Sequence, residues 1–257
     1  APNTGGVETH LTDLTQHLQS NAIQTFVLTY QPLVTKARGR IFAKFGSVSV
    51  LRLPWIGFGL FNKFEPYPAI QFLYLFPFIF VAALFVMFFN MNKIAVVHCH
   101  GMICAVIGRL LKALFRKRVV ISIHAVYGWL YNLKGSRLLP RFLKWVLQGA
   151  DVVLALSEAS RRELVEIGLG EKQTGTFTYW VDQSIFQPMD KSECRRKTGI
   201  QNKFTVLFVG RMIAVKGVEM LLKVAGEMPD IQFVFAGDGP LAGTVAAEAA
   251  AHANIIS

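Results

Sequence analysis

The stretch LFVGRMIAVKG, residues 207–217, decides how the rest of the chain is read. Leu207, Phe208 and Val209 form an apolar run that ends at Gly210; Arg211 and Lys216 then bracket a turn before a helical pattern resumes at Val218. A short apolar run stopped by glycine and followed by a helix is the strand-to-helix step of a parallel sheet. Arginine and lysine on a surface are usually no more than solvated charges. Two of them at the carboxyl end of a buried strand mean more, because open parallel sheets bind their ligands there.

The same step recurs on both sides. Downstream, IQFVFAGDG (231–239) reads as a strand entering the turn Gly237-Asp238-Gly239-Pro240, followed by the helical PLAGTVAAEAAAHA and the strand opening NIIS. Upstream, strands are expected at QTFVLTY (24–30), VSVLRLP (48–54), AVVHCH (95–100), RVVISIH (118–124), DVVLALS (151–157) and TGTFTYWV (174–181). Helical runs separate most of them: GGVETHLTDLTQHLQS (5–20), with Val7, Leu11, Leu14 and Leu18 on one stripe, then GMICAVIGRLLKALF, SRLLPRFLKWVLQG and SEASRRELVEIG. Ser157 stands at the N-cap of the last. Alternation of this kind predicts an α/β protein of two Rossmann-like domains. Residues 1–185 form the first, with an apolar insertion at 66–92; residues 186–203 are the linker; residues 204–257 begin a second, truncated domain.

On that frame the polar residues gather at strand ends. Gly5 and Gly6 open the first helix, His124 and Ser157 end strands, and Arg211 with Lys216 and the Gly237–Gly239 turn sit at two successive steps of the second domain. Backbone N–H groups at a helix start, together with two fixed cations, suit a diphosphate, and the cations would neutralise one that departs as a leaving group.

Composition narrows the class. The chain is 53% hydrophobic and 17% charged, so it can bury a core and is not disordered. Its net charge of +11 is uneven: residues 1–185 hold 19 Lys+Arg against 9 Asp+Glu, and between Lys36 and Lys144 the only acid is Glu65. Such a field attracts anionic lipid or nucleic acid. No nucleic-acid motif accompanies it, whereas PYPAIQFLYLFPFIFVAALFVMFFNMN (66–92) carries no charge at all. That stretch is long enough for one membrane crossing and too short for two. One crossing would put strands of a single domain, expected to share one sheet, on opposite sides of the bilayer. The readings left are a helix lying in the interface and kinked at Pro77, a shallow re-entrant hairpin, or a buried core helix; dense aromatics and basic flanks favour membrane contact.

Other candidates are set aside. His98, Cys99, His100 and Cys104 have metal-ligand chemistry, yet strand alternation turns Cys99 away from the two histidines and the spacing matches no zinc pattern. GFGLFN (57–62) lacks the third glycine of a dinucleotide fingerprint, and GLGEKQTG (168–175) lacks the spacing of a P-loop. Three cysteines without a CxxC pair fit reduced thiols, and APNTGGVETH does not read as a signal peptide.

Taken in order, GGVETHLTDL, VVHCHG with VVISIHAVYG, ADVVLALSEASRREL running into YWVDQSIFQP, and VGRMIAVKGVEMLL with FAGDGPL resemble the family 4 glycosyltransferases of the GT-B fold. That resemblance implies a retaining, hexosyl-type enzyme using a nucleotide sugar as co-substrate, with no metal and no other cofactor. It implies a lipid, lipid-linked or polysaccharide acceptor bound on the side of the first domain. His124, Arg211 and Lys216 would be catalytic. Gly5, Gly6, His100, Ser157, Asp182, Gly210, Gly237, Asp238 and Gly239 would bind substrate. An anionic membrane surface is the expected partner, the location being cytoplasmic and peripheral or monotopic at the inner face of a membrane. A degenerate relative that binds nucleotide or a partner without transfer is the alternative. The sequence departs from the family at Thr178, Tyr179 and Trp180, where Pro-Asn-Gly is usual, and it lacks the paired-glutamate motif near the C-terminus. The expectation is therefore a fragment, not a complete catalyst.

Overall fold

A computed structural model of the chain describes residues 6–32, 39–55, 68–124, 138–179 and 181–257. Two compact units divide it, Ala1–Trp180 and Val181–Ser257.

In the first unit the order is α1 (Gly6–Ser20), β1 (Thr25–Pro32), β2 (Phe42–Phe45), β3 (Val48–Trp55), α2 (Pro68–Asn90), β4 (Val96–His100), α3 (Met102–Phe115), β5 (Arg118–Ile123), α4 (Leu138–Gln148), β6 (Val152–Ala155), α5 (Glu158–Glu166) and β7 (Thr174–Thr176). Strands β4-β5-β6-β7 form one parallel sheet in that order. A second sheet runs β1-β3-β2, parallel between β1 and β3 and antiparallel between β3 and β2. Strand β2 was not expected. Its signal was the two-residue loop Gly46-Ser47, in which Gly46 takes φ 57° and lets Phe45 pair with Val48.

The strands on either side of the apolar stretch were expected to share one sheet, and that is corrected: among the described residues no backbone pairing joins β1 or β3 to β4. Side chains join them instead. Ile79, Ala83 and Met87 of α2 pack with Ile107 and Leu111 of α3, and against this cluster lie Leu28 and Leu53 from one sheet and Val97 from the other. The Tyr30 hydroxyl donates to the Leu75 carbonyl of α2, which pins the helix to β1.

Helix α2 is continuous through Pro77, which excludes the re-entrant hairpin. A wholly buried helix is excluded as well. Leu75, Ile79, Ala83 and Met87, four residues apart, are buried, whereas Phe78, Val81, Phe85 and Phe88 on the opposite stripe are 60%, 64%, 65% and 68% exposed. By length and composition Phe72–Asn90 could cross a membrane, but one whole stripe is committed to the protein core. The two stripes should respond differently to mutation. Met87→Ala, at a position 3% exposed, is expected to cost roughly 2–5 kcal/mol of unfolding free energy. Phe85→Ser should stay within about 0.5 kcal/mol. Urea midpoints of the two variants measure the difference, and equal costs would contradict the assignment of faces.

The core of the four-stranded sheet holds Val119, Ile121 and Val153, all fully buried, between α3 and α4. Cys99 faces this core, as alternation along β4 requires, and burial raises its thiol pKa far above the ordinary range. Asp151 ties the base of β5 to α3: its Oδ2 accepts from Val119 N at 2.7 Å and pairs with Lys112 Nζ at 2.8 Å.

In the second unit the order is α6 (Lys191–Thr198), β8 (Thr205–Val209), α7 (Val218–Glu227), β9 (Gln232–Ala236), α8 (Ala242–Ala251) and β10 (Ile255–Ile256). The sheet is parallel, ordered β10-β9-β8, around Val218, Phe233, Phe235 and Val245. Unit two begins at Val181, earlier than the expected linker, and residues 186–203 contain α6. The Asp190 side chain accepts from Glu193 N at its start, and Gly199 ends it at φ 71°. A polar composition hid a capped helix there.

Candidate active site

Strands β4 and β5 end side by side and carry His100 and His124 to the same edge. His100 Nδ1 lies 2.8 Å from His124 Nε2, and His124 Nδ1 lies 2.7 Å from Tyr179 Oη. His98, two residues back on the same face of β4, has its ring centroid 4.2 Å from that of His100 and its Nε2 2.8 Å from Ser122 Oγ. From α1, His10 completes the group, stacked on Tyr179 at 4.6 Å and 5.6 Å from His124. Phe177 meets the His124 ring edge-on at 5.4 Å.

His10, His100 and His124 are thus packed among aromatic rings, with His98 on the more open edge of β4 against His100, and all four are kept neutral. Burial lowers His100 to about 3, with His98, His124 and His10 adding to it. Burial and then His10 and His98 lower His124 to about 4. His98 falls to about 4 through burial and then His10, and burial lowers His10 against the opposing pull of Asp13. Among the described residues no group of three or more His, Cys, Asp or Glu could hold a metal ion. The imidazoles of His98, His100 and His124 bond to each other, to Tyr179 and to Ser122 instead, while His10 contributes ring stacking and its buried Nδ1 has no hydrogen-bond partner among the described residues.

Of the sequence candidates in the first unit, Gly6, His100 and His124 come together. The start of α1 abuts Tyr179, so that a side chain on Gly6 would lie 3.6 Å from Tyr179 Cε2. Gly5 lies outside the described residues. The Ser157 hydroxyl is engaged as the cap of α5, accepting from Ser160 N and donating to Ser160 Oγ, each at 3.1 Å. His10 and Tyr179 were missed. His10 sits beside the Val7–Leu11 stripe of an ordinary amphipathic helix, and Tyr179 was read as the continuation of a strand. That strand stops at Thr176, leaving Phe177 and Tyr179 free to turn onto the histidines.

In the second unit, Gly210, Arg211, Lys216, Gly237, Asp238 and Gly239 share the carboxyl ends of β8 and β9. Backbone bonds fasten the two turns together: Gly210 N donates to Ala236 O at 3.0 Å and Met212 N to Asp238 O at 2.9 Å. The approach is so close that a Cβ on Gly237 would lie 1.9 Å from Gly210 O, which only glycine avoids. Met212, 3% exposed, anchors the loop in the core. Arg211 and Lys216 are exposed, and neither is in an ion pair among the described residues. Asp182 belongs to this unit and is spent on a local turn, its Oδ1 accepting from Ser184 N at 2.9 Å and Ser184 Oγ at 2.6 Å.

A family model for Glycosyltransferase Family 4 matches residues 4–174, the whole span that carries the histidine cluster up to β7. The chain belongs to Glycosyltransferase Family 4. It is 24% identical over 252 residues to the GPI3 component of the phosphatidylinositol N-acetylglucosaminyltransferase of Saccharomyces cerevisiae, covering 93% of this chain and 51% of the relative. The chain therefore spans about half the length of the curated relatives that match 93% of it. Among solved structures, the catalytic domain of starch synthase IV from Arabidopsis thaliana, bound to ADP and acarbose, superposes with a TM-score of 0.61 at 14% identity, covering 93% of this chain and 66% of that one. The Anabaena protein Alr3699/HepE, in complex with UDP and glucose, gives 0.52 at 18% identity over 78% of this chain and 52% of that one. These similarities establish for the family 4 chain the α/β GT-B fold of Rossmann-like units.

Proposed function

We propose that this chain is part of a retaining, hexosyl-type glycosyltransferase that moves a sugar from a nucleotide-sugar donor to a lipid, lipid-linked or polysaccharide acceptor at a membrane surface. The observation that carries this reading is the fastened pair of turns at β8 and β9, from which Arg211 and Lys216 stand exposed beside the glycines. A nucleoside diphosphate is the leaving group that two such cations suit. In the step proposed, the acceptor oxygen bonds to the anomeric carbon as the bond from that carbon to the diphosphate oxygen breaks. The bonding electrons leave with the diphosphate, and the acceptor's hydroxyl proton passes to it. His124 contacts the transferred sugar and takes no proton from the acceptor, in keeping with an imidazole whose basicity burial lowers to a pKa of about 4. Gly6, beside Tyr179, and His100, bonded to His124, are proposed to bind substrate with it. This chemistry calls for no cofactor beyond the donor sugar. Solved relatives hold UDP with glucose and ADP, and a curated relative is named for transfer to phosphatidylinositol, which supports a nucleotide-sugar donor and a lipid acceptor.

Membrane contact rests on α2. Its exposed stripe of Phe78, Val81, Phe85 and Phe88 is apolar, and the chain around it is strongly basic. An apolar face with a cationic surround suits a protein resting on the anionic, cytoplasmic leaflet. The protein is expected to sediment with anionic vesicles, with binding weakened and not abolished by high salt. Phe85→Ser with Phe88→Ser should lower vesicle affinity at least about 10-fold, at ~1.5–3 kcal/mol for each aromatic withdrawn from hydrocarbon. Vesicle affinity unchanged in the double variant would remove the helix from the contact. A donor screen on the intact protein that carries this sequence, reading released UDP, GDP or ADP, tests the transfer itself; release with none of them, from a folded protein, would defeat it.

A further inference from the structure

Both ring nitrogens of His124 are engaged, and the two contacts depend on each other. A neutral imidazole has one N–H and one bare nitrogen. If the proton is on Nε2 it donates to His100 Nδ1, 2.8 Å away, and Nδ1 must accept from Tyr179, 2.7 Å away. If the proton is on Nδ1, both bonds reverse. His100 can serve either arrangement by its own choice of tautomer, so the hydroxyl of Tyr179 decides.

We propose that Tyr179 is a positioning residue for His124: its hydroxyl donates to Nδ1 and thereby holds His124 as the Nε2–H tautomer, with Nε2–H donating to His100 Nδ1. A phenol is a better donor than acceptor, and the bare nitrogen of an imidazole is a better acceptor than a phenol oxygen. The hydroxyl keeps its proton, because burial and then the carboxylate of Glu8 raise its pKa. The ring cannot swing freely: it lies flat on His10, 17° from parallel, and against the start of α1 at Gly6. Among the described residues the titratable groups around the pair are Glu8, His10 and Asp13 of α1 and His98 and His100 of β4. The consequence for transfer rests on the function proposed above, since a fixed tautomer matters to a sugar only if His124 meets one. The tautomer itself does not.

The test is a nitrogen-detected multiple-bond NMR correlation of the histidine rings in the 257-residue chain, wild type and Tyr179→Phe. Phenylalanine keeps the ring on His10 and removes only the hydroxyl. The wild type should show His124 with the Nε2–H pattern. Tyr179→Phe should turn it into a mixture or into Nδ1–H, and raise the His124 titration midpoint by about 0.5–1 pH unit, because a donor to the neutral form has gone. A wild-type Nδ1–H pattern, or a variant with tautomer and midpoint both unchanged, overturns the proposal. Should the variant disturb the fold, the wild-type pattern decides alone. The expected tautomer change in this chain, together with no nucleotide released by a folded, intact enzyme that carries it, would sustain this inference and sink the proposed function.

Discussion

Replacing Arg211 or Lys216 with alanine, in a transfer-competent enzyme that carries this sequence, is expected to lower transfer about 100-fold or more. The size follows from what the groups are asked to do, which is to stabilise charge that grows on a departing diphosphate. The structure also says what should not change. Backbone bonds from Gly210 to Ala236 and from Met212 to Asp238 hold the loop without help from either side chain, and buried Met212 anchors it. Removing an exposed cation should leave unfolding free energy within about 0.5 kcal/mol. The informative result is therefore a fall in kcat with an unaltered urea midpoint. Arg211→Lys should be harmful as well if the guanidinium grips two diphosphate oxygens, since an ammonium cannot reproduce that fork. Full turnover in both alanine variants would take the pair out of the site.

The loop was legible in the sequence because everything that builds it is local: an apolar run, a glycine, two cations and a second strand ending in Gly237-Asp238-Gly239. Period and punctuation also located nearly all the strands, and the N-cap at Ser157 was found where its side chain accepts from Ser160. What could not be read was set by contacts distant in sequence. His10 and His124 are separated by most of the first unit and meet only because α1 packs beside the ends of β4 and β5. Tyr179 followed a strand-like pattern, yet its ring stacks on His10 in preference to extending β7. The two faces of α2 were invisible for a different reason: both are apolar, so no contrast in polarity marks which stripe the core takes. For the same reason the division of the first unit into two sheets bridged by side chains could not be foreseen from strands that all look alike.

Acidification is expected to destabilise the first unit well before its carboxylates are protonated. Each clustered histidine has a folded pKa below the unfolded value of 6.5, so the unfolded chain binds more protons and stability falls as pH falls. The contribution is fully present above about pH 6.5 and is lost progressively from there toward the folded values of about 4 for His98 and His124 and about 3 for His100. His100 is the most enclosed of the three and is flanked by the other two rings; it alone should cost up to about 2.5 kcal/mol between pH 7 and pH 4.5. His98 lies on the open edge of β4 and His124 is only half-buried, so solvent screens both and they add less. Against a typical total of about 5–15 kcal/mol, that loss is a large share. The cause is geometric as well as dielectric. In the arrangement proposed above, protonating His100 would put a donor on each side of its 2.8 Å contact with His124 and break a bond that needs one bare nitrogen. Urea midpoints at pH 7.0, 5.5 and 4.5 should fall steadily, and His100→Asn, which cannot charge, should flatten the decline. A midpoint that holds constant down to pH 4.5 would mean that the histidines are already solvated, and that the packed cluster at the ends of β4 and β5 does not exist in solution.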